Sequence, residues 1–169
     1  MKRFALSLMF ALLLLAGTAA KADVLTITLD SPFQSITNQG GVVQFDATVT
    51  NTTGGTVYLN GDSSNADSPL TVDDTPYNTN GDFPATLGPL GTASGELFDV
   101  DVPAWTALGV YTGSFTITGG ADDSGNYPLG TADFNIQITP EPSSLLLLAT
   151  GLAGLAAGVR RRVGLLRRR

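Results

Sequence analysis

The sequence predicts an all-β fold, a two-sheet sandwich, with one apolar segment at each end of the chain. Three observations carry this. Apolar and polar residues alternate with a period of two in several runs between residues 24 and 139. Clusters of Gly, Asn, Asp, Ser and Pro break those runs about every ten residues, the spacing of an all-β domain. No competing helical periodicity appears between them, and the long uncharged apolar stretches lie only at the two ends.

The first end reads MKRFALSLMFALLLLAGTAAKAD. Lys2 and Arg3 precede an apolar run from Phe4 to Ala16, and small residues follow. Ala20-Lys21-Ala22 fits an A-x-A cleavage site, with Asp23 as the new first residue. This is the three-part pattern of a secretory signal peptide over residues 1–22. The run is too short for a membrane anchor, which needs roughly 20 apolar residues.

The strands follow in order. In VLTITLD, Leu25, Ile27 and Leu29 point one way while Thr26, Thr28 and Asp30 point the other. Val43, Phe45, Ala47 and Val49 repeat the pattern. A turn at Asn51-Thr-Thr-Gly-Gly leads to Val57 and Leu59. Residues 60–95 break the rhythm and predict a long polar connection with one or two short strands around Leu70 and Val72. Phe98, Val100 and Val102 alternate with Asp99 and Asp101. Tyr111, Gly113, Phe115 and Ile117 share a face, and Ala132, Phe134, Ile136 and Ile138 form the last strand. Six or seven such strands, each with one wet face, suit an antiparallel sandwich. The stretch from Val102 to Tyr111 resembles the corner before a late strand in immunoglobulin-like domains. Tyr111 is expected to bond back to that loop, and Trp105 to plug one end of the core.

The chain closes with TPEPSSLLLLATGLAGLAAGVRRRVGLLRRR. Residues 142–159 carry no charge and as a helix would reach roughly 27 Å, close to a bilayer core of about 30 Å. The prolines end the preceding strand, and Ser143 or Ser144 can cap the helix. Arg160, Arg161 and Arg162 would hold the cytoplasmic side. Pro140-Glu141-Pro142, the apolar span 143–159 and the arginine cluster 160–169, in that order, resemble the PEP-CTERM sorting domain of Gram-negative bacteria. The resemblance covers about thirty residues of the chain. It implies that an exosortase recognises Pro140, Glu141 and Pro142, cuts near Glu141, and releases or transfers the domain 23–139. The arginines then act as a cytoplasmic retention signal, and the chain contacts the general secretion machinery and, transiently, the inner membrane before reaching the cell surface or matrix. Proteins of this class are linked with exopolysaccharide and biofilm. A plain uncleaved single-span anchor is the competing reading of the same residues.

Charge and chemistry narrow the function of the middle. All nine basic residues lie in the two end segments, and all fifteen acidic residues lie from Asp23 to Glu141, so that segment is formally −15. Such a surface repels nucleic acid and attracts cations. The sequence has no histidine and no cysteine. This removes Ser-His-Asp sets and thiolate nucleophiles, and the chain is not expected to be an enzyme. No cofactor is expected. Calcium could use Asp62 and Asp67 (with Asn65, Asp73 and Asp74) or Asp122 and Asp123 (with Asn126), although neither cluster has the EF-hand spacing. Asp, Asn, Ser and Gly are also what turns prefer. For glycan binding the available aromatics are Tyr58, Tyr77 and Tyr127, the last two in loop-like contexts.

Overall fold

The computed structural model describes residues 23–141 and 146–155. The signal segment with Ala20 and Ala22, Pro142, and Arg160, Arg161 and Arg162 lie outside the described residues. Among the described residues nine strands form two sheets: β1 (Leu25–Leu29), β2 (Phe33–Thr37), β3 (Gly41–Asn51), β4 (Val57–Ala66), β5 (Thr71–Asp73), β6 (Thr86–Leu87), β7 (Thr92–Val102), β8 (Gly109–Gly120) and β9 (Tyr127–Thr139), with a short helix between β5 and β6, α1 (Thr75–Thr79). One sheet runs β1-β3-β7-β5 and the other β2-β9-β8-β4-β6. That is the ABED and CFG arrangement of an immunoglobulin-like sandwich with extra edge strands.

The alternating positions read from the sequence are the core. Val43, Phe45, Ala47 and Val49 on β3, Phe98, Val100 and Val102 on β7, Phe115 and Ile117 on β8, and Phe134, Ile136 and Ile138 on β9 are all buried. Four phenylalanines tie the sheets together. Phe98 stacks on Phe45 and on Phe115, each at 4.8 Å between ring centres, and Phe134 lies 5.0 Å from Phe45. Each buried ring contributes about 2–3 kcal/mol of transfer energy, and the ring pairs add about 0.5–1.5 kcal/mol each. The register of β3 against β7 shifts between Phe45 and Asp46, leaving Leu97 as the extra residue of a bulge. Leu97 and Phe98 are therefore both buried despite being adjacent.

Two expectations need correction. The sandwich is not wholly antiparallel, because β2 pairs with β9 in parallel. The chain leaves β1 at Asp30, crosses to the other sheet through Pro32, and keeps its direction; β9 runs the same way. Alternation reveals which face a residue takes, but not the direction of its neighbour. The connection at 60–95 is also less open than expected, since β4 continues to Ala66 along β8. Beyond it, β5 adds to β7, and β6 adds to β4. Of the expected apolar span 143–159, residues 146–155 are described and helical, about 15 Å in length; the remainder lies outside the described residues. No helix among the described residues is long and apolar enough to cross a membrane.

Candidate functional site

The topology gives the sandwich two distinct ends. β9 finishes at Thr139, so the chain leaves at the end that also holds the 38–40 and 103–108 connections. Asp23 and the 52–56, 88–91 and 121–126 connections lie at the far end, opposite the exit.

At the exit, main-chain bonds build the site. Asn38 N donates to Thr139 O at 2.9 Å, and Trp105 N donates to Asn38 O at 2.7 Å. The last residue of the sandwich is thus two hydrogen bonds from Trp105. Gly40 is the residue that lets these loops meet. It sits at φ +80°, and a β-carbon there would lie 2.6 Å from Ala104 N and from Val102 O. Thr106 is buried and donates its hydroxyl to Pro103 O at 2.6 Å. The Tyr111 hydroxyl donates to Ala107 O at 3.0 Å, the tyrosine corner the sequence suggested. Pro140 and Glu141 follow, both exposed. Pro140 has no amide hydrogen to extend the ladder, so the strand stops and the Glu141 carboxylate stands free of the sheet.

Trp105 does not plug the core. It is 76% exposed, in the left-handed region at φ +66°. The loop turns inward at Thr106 instead, whose hydroxyl satisfies the Pro103 carbonyl within the loop. A non-glycine residue held at positive φ costs of order 1–3 kcal/mol, which the surrounding bonds must sustain. Leu108, Val110 and Val42 are likewise exposed around this end.

The far end is held by side chains. Asn51 is fully buried; its amide donates to Gly55 O at 2.7 Å, Gly88 O at 2.8 Å and Leu87 O at 3.2 Å. Its Oδ1 accepts from Thr53 N at 2.9 Å and Thr53 Oγ1 at 2.8 Å. One asparagine thereby fastens the predicted Asn51-Gly55 turn to the 87–88 connection. Asn60 does the same for the next loop, donating to Asp122 O at 2.9 Å and Gly125 O at 2.7 Å. Beside them a cleft of about 460 Å³ is lined by Val24, Val57, Ala121, Tyr127, Pro128 and Leu129 among others.

The aromatic candidates separate cleanly. Tyr77 is only 7% exposed and packs on Phe83 and Phe115. Burial, with the Asp62 charge nearby, pushes its phenol up to about 12. It is a core residue, not a sugar platform. Tyr58 is half-buried on β4, and Tyr127 is 67% exposed at the rim of the far-end cleft.

Of the candidate calcium residues, Asp62 and Asp74 stand side by side, and among the described residues no larger group forms around them. The Asp67 carboxylate accepts from Thr112 N at 2.8 Å and Thr112 Oγ1 at 2.9 Å, which lowers its pKa. Asp122 accepts from Ser124 N, Ser124 Oγ and Gly125 N in a turn, and is lowered chiefly by the Ser124 bonds. Asp62 is raised by burial, against the Asn78 amide that lowers it. Asp123 lies exposed in the same loop as Asp122. Among the described residues no three carboxylates converge as metal ligands.

Sequence reasoning treated Asp99 as a solvated strand residue. It faces Glu96, Asp73 and Asp101 on the outer side of the first sheet, and its Oδ1 is buried without a partner. Burial first, then those charges, push it up to about 6. Its position opposite Asp73 on β5 follows from a pairing that alternation does not reveal.

Fold and exit junction together describe a β-sandwich with an exposed, proline-flanked carboxylate at its end. The chain matches the PEP-CTERM protein-sorting motif over residues 139–162. That motif marks an exported protein processed by an exosortase. No curated protein matches the chain. Among solved structures it is similar to a fragment of alpha-2-macroglobulin from Escherichia coli (20% identity, 70% of this chain and 17% of that one, TM-score 0.46). It is similar also to WR4, an MSP family member of C. elegans (8% identity, 70% of this chain and 100% of that one, TM-score 0.42). A third is the CARDB domain of PF1109 from Pyrococcus furiosus (15% identity, 69% of this chain and 96% of that one, TM-score 0.40).

Proposed function

We propose that the sandwich is a non-catalytic structural or adhesive domain, delivered to the cell surface or extracellular matrix of a Gram-negative bacterium and associated there with exopolysaccharide or biofilm. The single observation that supports delivery is the junction. The sandwich is complete at Thr139, and Pro140 and Glu141 stand exposed immediately after it, so a cut near Glu141 removes the tail without disturbing a strand. In this reading the span 143–159 sits transiently in the inner membrane, Arg160, Arg161 and Arg162 stay on its cytoplasmic side, and the exosortase reads Pro140, Glu141 and Pro142. The −15 surface favours a hydrated, cation-screened matrix setting. Fractionation of cells expressing Glu141→Ala tests this. The variant is expected to accumulate at full length in the inner membrane, while the parent chain appears outside it. Equal processing of both would remove Glu141 from the recognition step.

A second reading, glycan binding, is favoured by the exposed Tyr127 at the rim of the far-end cleft. It predicts exopolysaccharide binding that is lost in Tyr127→Ala and kept in Tyr58→Ala.

A further inference from the structure

We propose that the exit end of the sandwich is a lipid-facing surface, and that Trp105, with Leu108, rests in the interface of the bilayer holding the tail until the tail is cut. This rests on the reading that the span 143–159 is membrane-inserted. Four observations lead to it. First, the connections 38–40 (Asn-Gln-Gly) and 103–108 (Pro-Ala-Trp-Thr-Ala-Leu) contain no charged residue, and the Asp67 carboxylate of the neighbouring 67–70 connection is taken up by Thr112. Second, the large exposed apolar side chains Val42, Trp105, Leu108 and Val110 lie at this same end. Third, Trp105 is bonded through Asn38 to Thr139, the last strand residue. Fourth, only five residue steps separate Glu141 from the start of the described helical run at Leu146, a reach of at most about 18 Å.

The chemistry fits one occupant. An indole has an apolar body and a single N–H donor, the combination that favours the boundary between headgroups and hydrocarbon. Val42 and Val110 lie on opposite sheets, so exposed apolar side chains occur on both sides of this end, with Asp101 opposite Val42. Apolar side chains on both sides of the exit suit a surface met end-on. The far end, which also exposes Leu90 and Tyr127, carries exposed Asp23, Asp122 and Asp123 and would be repelled by anionic headgroups. The domain is thereby oriented on the membrane by its own two ends, with the Pro140-Glu141 junction held at the lipid surface, where a membrane-embedded enzyme can reach it. Removal of the tail leaves only the loop contact, which is too small to retain an acidic domain, and release follows.

Trp105 is the only tryptophan in the sequence, so its fluorescence reports the contact directly. The full chain would be reconstituted into zwitterionic phosphatidylcholine vesicles and followed by flotation, by emission wavelength, and by quenching with brominated lipid or aqueous iodide. The proposal expects the chain to float with the vesicles, Trp105 emission to shift to the blue, brominated lipid to quench it, and iodide to lose access. Leu108→Asp, an exposed position, is expected to float equally and to return the emission to the red, with an unchanged unfolding midpoint. Flotation with Trp105 still open to iodide would overturn the interfacial contact and leave the inserted tail standing. Absence of flotation would overturn the inserted tail, and the contact with it. Blue emission insensitive to brominated lipid would place the indole against the chain's own tail, and a processing defect in Trp105→Ala without lipid contact would point to a protein partner; either result overturns the proposal.

Discussion

The two ends of the sandwich are built by different means. The far end adds side-chain bonds to backbone ones: the Asn51, Thr52 and Leu90 amides donate to Gly91 O, Val24 O and Thr53 O, and the Asn51 and Asn60 side chains reach across connections to further carbonyls. The exit end is fastened by the backbone, through Asn38, Thr139 and Trp105, and by two hydroxyls, those of Thr106 and Tyr111. The ends also differ in charge. Asp23, Asp122 and Asp123 stand exposed at the far end, together with Leu90 and Tyr127, whereas Val42, Trp105, Leu108 and Val110 are exposed at the exit, with Asp67 and Asp101 near them.

The comparison can be broken most severely at Asn51. Asn51→Ala removes every side-chain bond of a fully buried hub and takes the amide donor from the Leu87 and Gly88 carbonyls, so a loss of about 3 kcal/mol is expected by urea unfolding. A loss under about 0.5 kcal/mol would mean that the turn holds itself and the contrast between the ends is only apparent.

The next effect comes from the acidic outer face of the first sheet. The Asp99 carboxyl is pushed up to about 6, chiefly by burial, whereas an unfolded aspartate sits near 3.9. The folded chain therefore binds this proton more tightly, and between those values folding takes up a proton. Stability should rise as pH falls from 7 toward 5. It should be lost again on further acidification, when Asp67, Asp73 and Asp122, whose pKa values are lowered by hydrogen bonds, become protonated. Asp99→Asn should stabilise the domain at pH 7 by about 1 kcal/mol, after allowance for solvent screening, and should flatten the rise between pH 7 and 5. Thermal unfolding across that range reads both.

Smaller effects probe the exit. Tyr111→Phe removes the bond to Ala107 O and should cost about 1 kcal/mol, with greater exchange of amides in the 103–108 loop. Trp105→Ala should change stability by no more than about 0.5 kcal/mol, because the side chain is exposed, while abolishing the lipid contact. A large loss there would return Trp105 to the core role its sequence suggested.

How much of this was legible from residues alone follows from what alternation encodes. It assigns faces, and so it found the core from Leu25 to Ile138 and the strands that carry it. It does not encode partners, and so it missed the parallel β2–β9 pairing and the placement of Asp73 beside Asp99. Residues 60–66 pair with β8 although they lack apolar alternation, because β4 leaves the core there and its side chains Ser63, Ser64 and Asn65 are exposed. Asn51 was visible only as a turn former; its burial depends on the 87–88 connection, far away in sequence. Trp105 was misplaced because size suggested burial, whereas its neighbour Thr106 was the residue able to turn inward and satisfy Pro103 O. The sorting tail was legible throughout, since its signal lies in the order of three chemical classes and not in packing.

The most direct test of the account is intact mass, measured by fraction, for the full chain in a host with its own exosortase. The account predicts a species running from Asp23 to about Glu141 outside the inner membrane. A species ending at Arg169 and confined to the inner membrane would contradict it, and would make the protein a permanently tethered surface domain.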